Sequence, residues 1–190
     1  MLYLSNENDG FIVKVVDELE EAIKLMELGY EYHKENLFLG NDKDIMMVLD
    51  TLRFVVDDDK KNIYSYLKNL IHNEGFGKAY DELNEISNVG DKIAAFTIRD
   101  IGLINPDLIN KLNLTDDDYK FAFPVDTWVE QITDKIGFKG EDPNEIKKYF
   151  VSKCREFGLN PLKIAAGLWY LGFNSLDILL EKMGKEKMTL

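Results

Sequence analysis

Cysteine occurs once in this 190-residue chain, at Cys154. A single thiol excludes an intrachain disulfide and a four-cysteine iron–sulfur cluster, and it fits a reducing compartment. Histidine is almost as scarce. His33 and His72 have no ligand-like partner near them in sequence, so both read as ordinary surface or boundary residues. Proline is confined to Pro106, Pro124, Pro143 and Pro161, each placed at a turn or a helix start, as an all-helical chain places them. The longest apolar run, Ile164 to Phe173, is too short to cross a bilayer. No N-terminal signal pattern is visible. Positive charge is short as well: the formal net charge is −12. Nucleic-acid binders are usually basic, so this deficit argues against that class for the chain as a whole. The deficit is uneven. Residues 1–60 hold six Lys+Arg against fifteen Asp+Glu, whereas residues 141–190 hold eight against seven. A polyanion could therefore meet the second region.

Apolar residues make up 45% of the chain, ample for a core of one compact unit or two small lobes. Met1 to Gly10 is polar and expected to be loosely held. Periodicity predicts a helix over 11–36, with Val15, Leu19, Ile23, Met26 and Tyr30 on one face. The Glu18 to Glu21 cluster is its solvated face. Asn41-Asp42 can cap a helix running to about Val56. Asp57-Asp58-Asp59 lacks the spacing and glycine of a calcium loop and reads as a cap for a helix from Lys60 to His72. Gly75-Phe76-Gly77 breaks the chain. Further helices are expected to start at Asn105-Pro106, Thr115, Pro124, Asp142-Pro143 and Pro161, and a last one at Asn174-Ser175 with Leu176, Leu179, Leu180 and Met183. In the helix from Asp142, Ile146, Phe150, Cys154 and Phe157 form the inward stripe. Lys147, Lys148, Lys153 and Arg155 lie off it and make the best basic patch, fit for phosphate contact or plain solvation. There is no internal repeat.

Two stretches carry chemistry. In the first, a short helix bearing Tyr80, Leu83 and Ile86 leads into Ser87-Asn88-Val89-Gly90, and a second helix starts near Asp91 with Ile93, Phe96, Ile98 and Ile101 on a wide apolar face. A helix N-terminus exposes unpaired N–H groups, and a glycine there lets an anion such as phosphate approach them. Lys92 sits in that first turn, where the helix dipole disfavours a cation, which invites a functional reading. In the second stretch, Phe123-Pro-Val-Asp126 precedes a stripe of Val125, Val129, Ile132 and Ile136, placing Asp126 at a helix N-terminus.

At these residues the sequence resembles the helix-hairpin-helix DNA glycosylase superfamily. Val89-Gly90-Asp91-Lys92 is similar to its Val-Gly-x-Lys hairpin, and Phe123-Pro-Val-Asp126 to its Pro-Val-Asp segment. The resemblance covers residues of about 75 to 175. The family's first hairpin glycine is Asn88 here, and its histidine after the aspartate is Trp128. The long segment from Leu103 to Tyr119 resembles archaeal 8-oxoguanine glycosylases. The resemblance implies an all-α, two-lobed fold with a cleft between the lobes. Within one unit of 1–190, residues 1–40 and about 141–190 would form one lobe and about 41–140 the lobe with the hairpin. It implies base-excision repair by a glycosylase with AP lyase activity, most like enzymes acting on 8-oxoguanine. The expected partner is damaged double-stranded DNA, bound by a monomer in the cytoplasm or nucleoid of a prokaryote, without membrane, metal or iron–sulfur cluster. In bifunctional members the lysine matching Lys92 is the nucleophile and the aspartate matching Asp126 the second catalytic residue. Asn88, Val89 and Gly90, with the patch Lys147, Lys148, Lys153 and Arg155, would hold DNA.

Such an enzyme must extrude the base from the duplex. Trp128 and Trp169 are candidates to stack on it, or else core aromatics. A lysine amine attacks only when unprotonated, a form that burial and the positive end of a helix favour. Lys92 has the second feature by position, and the first if it lines a cleft. Two other readings stay open: a hairpin DNA-binding protein without chemistry, and an acidic helical interaction protein.

Overall fold

The computed structural model describes residues 2–5, 11–14, 19–36, 42–56, 60, 62–140 and 142–186. Among these the fold is all-α apart from one two-stranded ribbon. The ribbon pairs β1 (Leu2–Ser5) antiparallel with β2 (Phe11–Lys14), Leu2 opposite Lys14 and Ser5 opposite Phe11. This corrects the expectation of a loose start and of a helix from Phe11. Ile12 and Val13 are β-branched, lose little by being extended, and fit a pleated surface. The helices are α1 (Leu19–Asn36), α2 (Asp42–Phe54), α3 (Ile63–Asn84), α4 (Asp91–Ile104) and α5 (Pro106–Lys111). They continue as α6 (Asp116–Phe121), α7 (Thr127–Lys135), α8 (Pro143–Glu156) and α9 (Pro161–Glu186). Val15, Glu18, Asn41, the Asp57–Asp59 run and the side chains of His33, Leu176, Leu179, Leu180 and Met183 lie outside the described residues.

The helix starts follow the expected chemistry. Thr115 and Asp118 form a capping box on α6, and Asp142 Oδ1 accepts the first-turn N–H groups of Asn144 and Glu145 on α8. Asn160 Oδ1 does the same for α9 through Leu162 and Lys163. The break expected near Gly75 is there: α3 is interrupted by Gly75 at φ 88°, a left-handed conformation that glycine takes at little cost. The separate helix expected from Asn174 is not. Asn174 Nδ2 donates back to the Tyr170 carbonyl, so the residue rides inside α9 rather than capping a new helix.

The chain divides into two compact units, residues 1–66 with 85–89 and residues 67–84 with 90–190. Residues 141–190 thus group with 90–140 rather than with 1–40. In the first unit, α1 packs on α2 with Ile23, Leu49 and Val55 buried, and Arg53 ties Glu27 to Asp50 at 2.6 and 2.8 Å. In the second unit, Leu67, Ile71, Phe76, Ala94, Ala95, Ile98, Phe123, Val129, Val151, Leu162 and Ala165 are buried. Each large apolar side chain buried this way contributes about 1.5–3 kcal/mol. Phe123 stacks on Phe150 with ring centroids 5.5 Å apart. Gly102 lets α4 lie against α9: a Cβ there would stand 2.7 Å from Leu162 Cδ1. Gly172 gives Trp128 the same room against α9. Arg99 is buried as well, its guanidinium over the Phe96 ring and paired with Asp100, with Nη1 left without a partner among the described residues. No helix among the described residues is long and apolar enough to cross a membrane.

Candidate functional site

The hairpin is built from two unlike residues. Asn88 adopts φ 64°, the left-handed region where asparagine follows glycine in preference. Its side chain donates to Asp50 Oδ2 at 3.1 Å, which fixes the turn. Val89 is buried, and its N–H closes the turn on the Ile86 carbonyl at 3.0 Å. Gly90 is different. It is the N-cap of α4 with φ −101° and ψ 176°, extended backbone that any residue adopts. A Cβ added at Gly90 would meet nothing within 4 Å. Neither backbone strain nor packing demands glycine here, and a side chain would project into open space. The α4 N-terminus also lacks any side-chain cap, unlike α6, α7 and α8. Its first-turn N–H groups are open to a ligand.

Lys92, one turn-position further, is exposed. It forms no ion pair or hydrogen bond with any described residue. The burial that the sequence argument allowed for is absent in the chain itself. Asp126 is half-buried and caps α7, with Oδ1 accepting from the N–H groups of Trp128 at 3.1 Å and Val129 at 3.0 Å. Oδ2 takes no bond from the described chain. No hydrogen bond or ion pair joins Lys92 to Asp126. Both tryptophans are committed to packing. Trp128 lies against Gly172, and Trp169 meets Phe96 edge-on at 6.0 Å and stacks on Phe173 at 5.5 Å.

The expected basic patch comes apart into two. Lys153 pairs with Glu156 at 2.6 Å, and Arg155 with Asp116 at 2.8 Å and the Leu114 carbonyl at 2.8 Å. Lys147 corrects the stripe drawn from sequence: it is 8% exposed and sits among the buried residues of α8. Phe157 corrects it in the other direction, 67% exposed beyond the helix end. Lys147 shares the i, i+4, i+7 spacing with Val151 and Cys154, a stripe as visible in the sequence as the one starting at Ile146.

Lys147 and Lys148 line a cavity of about 490 Å³ with Lys120, Asn144, Asp91, Tyr80 and Phe121. The Lys147 ammonium lies 5.8 Å from the Tyr80 ring centroid and has no carboxylate in ion-pair range among the described residues. Burial pulls its pKa below the usual lysine value, Asp91 opposes that shift and Lys120 adds to it. Burial, then the neighbouring Asp91 carboxylate, pushes the Tyr80 phenol up to about 12. Lys120 pairs with Asp117. Of this cavity the sequence names only Lys147 and Lys148 as ligand-contacting residues; apart from Asn144 of α8, its other walls come from α3, α4 and α6, far apart in the chain. No group of His, Cys, Asp and Glu among the described residues could hold a metal ion. Comparison with known protein families, with curated proteins and with solved structures finds no match.

Proposed function

We propose that this protein is a bifunctional DNA glycosylase with AP lyase activity, built on the two-lobed helix-hairpin-helix fold and acting in base-excision repair on damaged double-stranded DNA, with 8-oxoguanine as the lesion. The observation that carries the reading is Gly90. It is a glycine that the fold does not need, at an uncapped helix N-terminus, two residues before a free lysine. Open N–H groups and the positive end of α4 suit a backbone phosphate. DNA seated there would cover Lys92 and supply the desolvation that the chain does not. The Lys92 amine would attack C1′ of the extruded nucleotide, and the base would leave with a proton. The opened sugar would remain as an imine on Nζ, and β-elimination would then break the C3′–O bond and nick the strand. Asp126 keeps one oxygen free of its capping role, available to offset positive charge developing on the sugar.

A second reading, hairpin DNA binding without chemistry, is favoured by the lack of any bond between Lys92 and Asp126. Substitution separates the two. Lys92→Gln should retain binding to a duplex carrying 8-oxoguanine or an abasic site and lose base release and nicking by at least ~10²-fold. Borohydride should trap wild-type protein, and not the variant, on that DNA. Absence of a trapped species on either lesion, with Lys92→Gln behaving as wild type, would leave the non-catalytic reading.

A further inference from the structure

The cavity lined by Lys147 plays no part in the chemistry proposed for Lys92. We infer that it binds a nucleoside monophosphate, either free or as the phosphorylated end of a strand. Lys120 reaches it from α6, and Lys147 and Lys148 from α8. In a chain of net charge −12, three ammonium groups converging on one hollow do not follow from general basicity. Lys147 is the telling member. A buried ammonium with no carboxylate in ion-pair range among the described residues is unfavourable, and an anion entering the cavity offsets that penalty. Among the described residues Lys120 is held only by Asp117, whose side chain is 82% exposed, a weak pair that an entering phosphate can displace.

The remaining walls say what accompanies the phosphate. Asp91 is an acceptor only, which repels a bare polyanion and suits a sugar hydroxyl. The Tyr80 phenol, protonated throughout the neutral range, can donate. The Tyr80 and Phe121 rings, tilted at 5.2 Å between centroids, add an apolar surface for a sugar or base. At about 490 Å³ the hollow lies within the small-ligand range of about 300–1,000 Å³. Phosphate, hydroxyl and a flat apolar group together describe a nucleotide.

The test is titration calorimetry at low salt with thymidine, thymidine 5′-monophosphate, and a short single strand with and without a 5′-phosphate. Thymidine 5′-monophosphate should bind at least ~10-fold more tightly than thymidine. Lys147→Met should reduce that binding by ~10-fold or more, and so should the double substitution Lys120→Gln with Lys148→Gln, which changes no fully buried residue and keeps the idea testable if Lys147→Met misfolds. Lys163→Gln, an exposed lysine of α9 outside the cavity wall, should bind as wild type. A strand whose 5′-phosphate improves affinity beyond that of the monophosphate would make the strand end the source; equal affinity would make it the free nucleotide. Equal binding of thymidine and its monophosphate, or cavity variants no weaker than Lys163→Gln, would overturn the inference. Lys92→Gln should leave monophosphate binding unchanged, so this idea and the glycosylase reading fail by different results.

Discussion

Lys147 shows how one side chain can be misread from sequence and still matter. A lysine is expected to reach water by its long stem. Here the backbone position leaves it little choice, because it stands one turn before Val151 on the stripe that Val151 and Cys154 bury. Its position costs stability, and the sign of that cost follows from the direction of its pKa. The folded pKa lies below the unfolded one, so between the two values the unfolded chain binds more protons. Stability from this residue therefore rises as pH climbs through the folded value towards the ordinary lysine value of 10.5. Tyr80 works the other way, but only between 10.0 and about 12, where the unfolded phenol ionises first. Between pH 7 and about 10 the buried Cys154 thiol, raised above its ordinary 9.0, opposes this rise, so thermal melts isolate the lysine only as the difference between wild type and Lys147→Met. Lys147→Met should flatten the rise and, at pH 7, leave the protein as stable as wild type or up to about 1 kcal/mol more stable, roughly 2–4 °C in Tm. A fall in Tm of more than a few degrees would mean that Lys147 has a compensating partner after all.

The elements were legible where local chemistry decides them. Thr115, Asp142 and Pro161 mark helix starts by bonds made within one turn, so spacing alone locates α6, α8 and α9. Legibility fails where a distant contact decides. The β1–β2 ribbon needs its partner strand, and Asn174 had two local bonds to choose from, of which the back-bond to Tyr170 won inside a long packed helix. The hairpin stands between these cases: its sequence shows Asn88, Val89 and Gly90, but not which of them the fold requires. The structure separates them, and that makes a prediction. Gly90→Ala should cost no more than about 1 kcal/mol, the N-cap preference for glycine over alanine, since the backbone is extended and a Cβ has open space. DNA binding should nevertheless fall by ~10-fold, because the methyl group stands where a phosphate must approach. Asn88→Val should do the reverse at first remove, destabilising the first unit by about 1–2 kcal/mol, since a β-branched residue at φ 64° is strained. Chemical denaturation and a filter-binding titration read the two effects separately. Equal loss of stability and binding in both variants would show that Gly90 serves the turn and not a ligand.

For the whole molecule the question is how an acidic protein meets DNA. The acid is concentrated in residues 1–60, and several of the cations elsewhere are already engaged in ion pairs. Lys153 and Arg155 are held by Glu156 and Asp116, and exposed pairs of this kind survive until something stronger competes. That leaves Lys92, Lys147 and Lys148 as the cations of the second unit that the sequence nominated for substrate or DNA contact and that have no carboxylate in ion-pair range. Neutralising about three phosphates gives a salt slope of about −2.7, which is about a forty-fold loss of affinity between about 50 and 200 mM salt. Lys148→Glu should weaken binding at every salt concentration and make the slope shallower by about one. Lys153→Glu should do much less, because its charge is already spent on Glu156. The measurement is a fluorescence-anisotropy titration of a lesion duplex over that salt range. A slope near −6 or steeper would mean that the paired cations let go of their carboxylates and join the contact. A slope near zero would mean that DNA is not held by charge at all, and the acidic interaction protein would become the better reading of the chain.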